Sequence, residues 1–110
     1  MERLFVYGTL APGKSNHHLL KEIRGEWVAG TLLGNLLNEG WGAAQGCPGV
    51  VPSDDGAEIE GFVLTSADLS EYWAMLDAFE GTGYQRSLVS ITTEEGVVEA
   101  YVYALDTDMI

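Results

Sequence analysis

The run Glu26-Trp27-Val28-Ala29-Gly30-Thr31-Leu32-Leu33-Gly34-Asn35-Leu36-Leu37 decides the fold class. Its Trp, Val, Thr and Leu content favours a strand, yet Gly30 and Gly34 interrupt it. Glycine inside a strand marks a bulge, a sharp bend or the close approach of another backbone. A long strand that bends suits a sheet that curls back on itself, so a barrel is expected here.

On the amino-terminal side, residues 3–7 read as a strand ending at Gly8, with Gly8, Pro12 and Gly13 punctuating a tight loop. Ser15 or Asn16 then caps a short helix whose Leu19, Leu20 and Ile23 share a face, with Gly25 closing it. On the carboxyl-terminal side, residues 38–49 hold four glycines and read as loop. A short strand follows at Val50 and Val51, then a Pro-Ser-Asp-Asp-Gly turn and a strand over 58–65. Leu69, Tyr72 or Trp73, Leu76 and Phe79 recur at helical spacing, so a helix is expected over 67–79, opened by Ser66 and ended by Gly81. Glu80 falls on its last turn. Residues 84–93 and 97–105 complete the chain as two strands joined at Glu94, Glu95 and Gly96. Strands outnumber helices without regular alternation, which gives an α+β class: one domain over residues 1–110, a compact mixed β-barrel with flanking short helices.

Composition excludes several function classes. Five Lys and Arg against seventeen Asp and Glu give a net charge of −12, which repels phosphate backbones and anionic lipid surfaces. Neither nucleic acid nor a membrane is an expected partner. The apolar stretch over 4–10 is broken by Gly8 and followed by Pro12, too short and interrupted for a signal peptide or a span, and a cytoplasmic location is expected. The lone Cys47 forms no internal disulfide, and no Cys and His cluster has zinc spacing; no metal and no cofactor are expected. The sequence leaves the oligomeric state open.

Gly8-Thr9-Leu10-Ala11-Pro12-Gly13-Lys14-Ser15 satisfies the phosphate-loop pattern G-x-x-x-x-G-K-[ST]. It follows a strand and precedes a helix, so nucleotide binding stands as an alternative. Such a loop belongs to a parallel sheet built from crossover units, and the remaining elements do not alternate in that way.

A second set of residues points elsewhere: Phe5-Val6-Tyr7-Gly8-Thr9-Leu10, then Pro48-Gly49, then Leu76-Asp77-Ala78-Phe79-Glu80-Gly81 followed by Tyr84-Gln85-Arg86. In this order the chain resembles the γ-glutamylcyclotransferase family, particularly its small bacterial and AIG2-like members. The resemblance implies a mixed β-barrel and release of 5-oxoproline and a free amine from a small γ-glutamyl substrate, without a cofactor. It also implies that backbone groups of Tyr7, Gly8, Thr9 and Leu10 hold the γ-glutamyl group and that Glu80 is the acid and base. Tyr84 and Arg86 match the pattern downstream. A non-catalytic small-ligand binder of the same fold is the alternative that keeps the pocket without the chemistry.

These residue types suit that reaction. The substrate's own α-amine attacks its γ-carbonyl, so the nucleophile is tethered and the protein must supply grip and proton transfer. A carboxyl at a helix carboxyl end, beside Phe79, Trp73 and Leu76, has its pKa raised by the helix dipole and by desolvation. Glycine behind a strand lets backbone N–H groups approach a carboxylate or an oxyanion. The remaining candidates have blander readings. His17 and His18, adjacent on a helix, diverge and have no third ligand; Cys47 has no paired base; Arg86 reads as a structural partner of a carboxylate. Tyr103, alternating with Val102 on the last strand, either fills the barrel or lines the cavity.

Overall fold

The computed structural model describes residues 2–7, 17, 20–37, 49–81 and 84–105. Expectations for Gly8, Thr9 and Leu10, for the rest of the phosphate-loop pattern to Ser15, for His18 and for Cys47 lie outside them.

Among the described residues, six strands form one sheet: β1 (Glu2–Val6), β2 (Glu26–Leu37), β3 (Gly49–Pro52), β4 (Ala57–Ser66), β5 (Tyr84–Thr93) and β6 (Gly96–Leu105). A 3₁₀ turn over Leu69–Glu71 and one helix, α1 (Trp73–Glu80), join β4 to β5. The strand order is β3-β2-β4-β1-β6-β5, and β5 returns to pair with β2, closing a five-stranded barrel. All pairings are antiparallel except β1 with β6. This is not the crossover-built parallel sheet that a phosphate loop serves.

The closure happens at the glycines of β2. Gly30 lies opposite Gly61 of β4 and also opposite Thr93 of β5, so β4 pairs with one edge of β2 and β5 with the other. A Cβ on Gly30 would sit 2.7 Å from Ile91 Cγ2, and one on Gly61 would sit 2.4 Å from the Val6 carbonyl oxygen. The absence of side chains there lets β4, β2 and β5 curl tightly around the interior. Beyond that point β3 takes over the β5 side of β2, with Gly34 opposite Pro52 and Leu37 opposite Gly49.

Two packed layers result. Phe5, Leu32, Val50, Ile59, Val63, Ile91, Ala100, Val102 and Ala104 fill the barrel, each on the inward parity of its strand. The opposite parity of β1, β4 and β6 supplies Leu4, Val6, Leu64 and Tyr103, which pack with Leu20, Ile23, Leu69, Trp73 and Leu76 in a second core outside the barrel. Tyr103 therefore does not fill the barrel; it belongs to the layer between sheet and helix. Because both faces of β6 are covered, residues 102–105 are buried without alternation.

Local structure departs from expectation in three places. The helix expected over 67–79 is split, with Leu69 buried by a 3₁₀ turn and α1 beginning at Trp73. Ser66 does open the segment, its Oγ accepting from the Asp68 amide at 3.0 Å while its hydroxyl donates to the Arg24 carbonyl. Among the described residues of the expected short helix, the Leu20 amide donates to the His17 carbonyl and the Ile23 amide to the Leu20 carbonyl, steps of three residues that wind more tightly than an α-helix. Gly25 is not a left-handed cap: its φ is not positive, and it is required because a Cβ would lie 2.3 Å from the Thr65 carbonyl oxygen.

Candidate active site

One face of α1 carries Trp73 and Leu76, both buried against the outer face of the barrel. That anchorage fixes the direction of the last turn. Phe79 packs against the same core, and Glu80 follows it, partly buried. Gly81, at φ +80°, donates its amide to the Asp77 carbonyl at 3.0 Å and lets the chain turn away; the left-handed region favours glycine there. Burial strips water from the Glu80 carboxyl and pushes its pKa from the ordinary 4.5 up to about 7.

Against this turn stand β5 and β6, with Arg86 directly opposite Tyr103 in register and Tyr84 opposite Leu105. A cleft of about 370 Å³ is lined by Asp77, Gly81, Tyr84, Arg86 and Tyr103. The Tyr103 hydroxyl donates to Asp77 Oδ1 at 2.7 Å. Arg86 Nη1 lies 3.6 Å from the same oxygen, too far for a hydrogen bond but close for a charge pair, and that nitrogen is buried with no hydrogen-bond partner among the described residues. The guanidinium is held over the Trp73 ring at 4.4 Å and near Tyr101 at 5.5 Å. Trp73 is fixed in turn by donating its indole N–H to Glu2 at 3.0 Å. Burial, the bond to Asp77 and the nearby carboxylates, Glu80 among them, push the Tyr103 phenol well above its usual range, so it stays protonated.

Tyr7 is tied to the same strands. Its hydroxyl donates to the Tyr103 carbonyl at 3.1 Å and accepts from the Val50 amide at 3.0 Å, bridging the end of β1 to β6 and β3. Tyr7→Phe takes the acceptor from an amide in a residue that is 0% exposed, and is expected to cost about 1–3 kcal/mol. Urea unfolding checks this as a lower midpoint at unchanged slope.

Of the residues singled out in the sequence, Tyr84, Arg86 and Tyr103 border one cleft beside the turn that carries Glu80, and Tyr7 is bonded to the backbone of that cleft's wall. Gly8, Thr9 and Leu10 fall outside the described residues. Asp77 was missed. The signal for it was present, since it lies one helical turn before Glu80 and so on a neighbouring face. Among the described residues, no group of His, Cys, Asp and Glu is arranged to hold a metal ion, and no helix is long and apolar enough to cross a membrane.

A family model described as gamma-glutamyl cyclotransferase, AIG2-like, matches residues 4–109. No curated protein matches the chain. Among solved structures, YkqA of Bacillus subtilis superposes with a TM-score of 0.73 at 32% identity, over 96% of this chain and 36% of that one. The chain thus spans little more than a third of YkqA. A mouse AIG2-like protein gives a TM-score of 0.70 at 24% identity over 97% of this chain and 78% of the other. A protein named gamma-glutamyl cyclotransferase gives 0.60 at 17% identity, over 96% and 66%. At these last two identities the likeness is one of fold.

Proposed function

Since the chain belongs to the γ-glutamyl cyclotransferase, AIG2-like family, we propose that it cyclises a small γ-glutamyl compound to 5-oxoproline, with Glu80 as the acid and base. The observation that carries this reading is the Glu80 carboxyl itself, half-withdrawn from water at the end of α1 and poised near neutrality, where one group both takes and returns a proton most effectively.

In the reaction the α-nitrogen bonds to the γ-carbonyl carbon and the bond from that carbon to the departing nitrogen breaks. Two protons leave the α-ammonium in all. Ionised Glu80 takes the first, which frees the lone pair for attack, and returns it to the departing nitrogen; the second ends on the released amine, which leaves as ammonium. The backbone of Tyr7, Gly8, Thr9 and Leu10 is the candidate grip on the γ-glutamyl group, a role in which the Tyr7 side chain serves by holding the end of β1 in place. Tyr84, Arg86 and Tyr103 are the candidate walls.

Purified protein given a panel of γ-glutamyl amino acids and γ-glutamyl amines is expected to release 5-oxoproline from at least one of them. Its kcat/KM should rise through about pH 7 as Glu80 ionises and fall again once the substrate's α-ammonium loses its proton. Absence of 5-oxoproline across the panel, with a γ-glutamyl compound still bound, would favour the non-catalytic binder.

A further inference from the structure

We infer that the outer face of the barrel along β2 is a docking surface for an extended, basic segment of another protein, in which apolar side chains alternate with lysine or arginine. The inference is independent of the cyclisation and concerns a face on which no residue of α1 lies.

Side chains alternate across a strand, so Ala29, Thr31 and Leu33 of β2 point away from the interior that Leu32 fills. Register sets their neighbours. Phe62 of β4 stands opposite Ala29 and Glu60 opposite Thr31. On the other flank Thr92 of β5 stands opposite Thr31, and Val97 of β6 opposite Thr92. Two hollows follow this line and meet at Thr31 and Thr92, one of about 500 Å³ beside Phe62 and Ala29, the other of about 470 Å³ beside Leu33 and Val97. Phe62 and Leu33 are exposed, and Val97 is 69% exposed. Single exposed apolar residues are ordinary, but three bordering one continuous hollow are the usual mark of a binding surface.

Charge decides between occupants. Glu60 and Glu94 line the first hollow and Asp54 the second, and no lysine or arginine lines either. Among the described residues none of these three carboxylates is in an ion pair. A second copy related by a two-fold axis would set the same carboxylates against each other. An anionic lipid surface or a phosphate backbone would meet them too. A cationic partner is complementary to them. Spacing then decides its shape. Along the β2 line the borders read apolar at Ala29 and Phe62, acidic at Thr31 and Glu60, and apolar again at Leu33, in steps of two residues, or about 7 Å. An extended segment repeats its side chains at the same interval, so an apolar, basic, apolar series on one of its faces matches all three places.

The probe is the peptide acetyl-Lys-Leu-Ser-Lys-Ser-Leu-Lys-amide, added to the intact, isotopically labelled protein and followed by amide NMR. Saturable shifts are expected at residues 29–33, 60–62 and 92–94. A peptide of equal charge with both leucines replaced by serine should bind about tenfold more weakly. Phe62→Ser and Glu60→Gln, both at exposed positions, should each weaken the first peptide several-fold, and the amide spectrum reports whether each variant has folded. Glu71→Gln, the same change of charge on the 3₁₀ turn, should leave the affinity unchanged. Equal affinity for the two peptides, or equal weakening by Glu60→Gln and Glu71→Gln, would mean attraction by the net charge of −12 alone and overturns the inference. So does the absence of saturable shifts at millimolar peptide, or sedimentation showing that the protein alone dimerises and that Phe62→Ser abolishes the dimer.

Discussion

Glu80→Gln is expected to lower kcat/KM for 5-oxoproline release by roughly 10²–10⁴-fold, the usual contribution of a positioned acid and base, while making the protein more stable above pH 7. The amide keeps the size and position of the side chain but can neither take the α-ammonium proton nor return it. The stability gain has the opposite origin. The folded-state pKa of Glu80 stands at about 7 against an ordinary 4.5, so between those values the folded chain holds a proton that the unfolded chain has released. Stability therefore falls as pH rises through that window, fully present below 4.5 and lost once pH passes about 7. At 1.36 kcal/mol per pH unit, the loss amounts to roughly 3 kcal/mol at most. Gln carries no charge to desolvate, so the variant and the native protein should differ little at pH 4 and the variant should gain in urea midpoint at pH 8. Equal turnover by the variant would sink the mechanism; an unchanged midpoint at pH 8 would sink the account of why Glu80 is poised.

Gly61→Ala is expected to cost about 3 kcal/mol or more, at the upper end for overpacking a core. The added Cβ would meet the Val6 carbonyl oxygen at 2.4 Å and the Phe5 ring at 2.6 Å. The ring belongs to a side chain that is 1% exposed, so it has little room to retreat, and the oxygen is backbone in the β1–β4 ladder. Gly61 also faces Gly30 at the point where β2 has neighbours on both edges, and pushing β4 away there opens the barrel. Phe5→Leu combined with Gly61→Ala should recover only part of the loss, since the smaller side chain does nothing for the carbonyl. A urea midpoint within error of native for Gly61→Ala would mean that the strands tolerate a wider closure.

The barrel was legible in residues 26–37 because a glycine without a side chain and a strand without a break cannot both be explained by a flat sheet. The hairpin of residues 84–105 was legible for a local reason: Thr93 faces Gly96 across a two-residue turn, with Gly96 at φ +114°. Helical content was overread, because the apolar spacing of Leu69, Trp73 and Leu76 is satisfied equally by a 3₁₀ turn leading into a short helix. Gly25 was read as a cap, whereas the constraint on it comes from Thr65, forty residues away and invisible to local rules. The same holds at the site. Glu80 was legible through the motif around it; the Tyr103 bond to Asp77 spans 26 residues and joins β6 to α1, a placement that periodicity does not fix.

The parallel pairing of β1 with β6, where Leu4 stands opposite Tyr101, has a consequence for how the chain comes into being. β1 leaves the ribosome well before β6, one of its two neighbours, has been made. Until β6 arrives, Leu4 and Val6 on one face and Phe5 on the other have an open flank, and the barrel cannot close. Contacts so distant in sequence pay their loop-closure entropy before they return any stabilisation. A nascent chain therefore carries an exposed apolar strand edge for as long as the residues between β1 and β6 are being made, the period in which a molecule of this topology is most open to association with others.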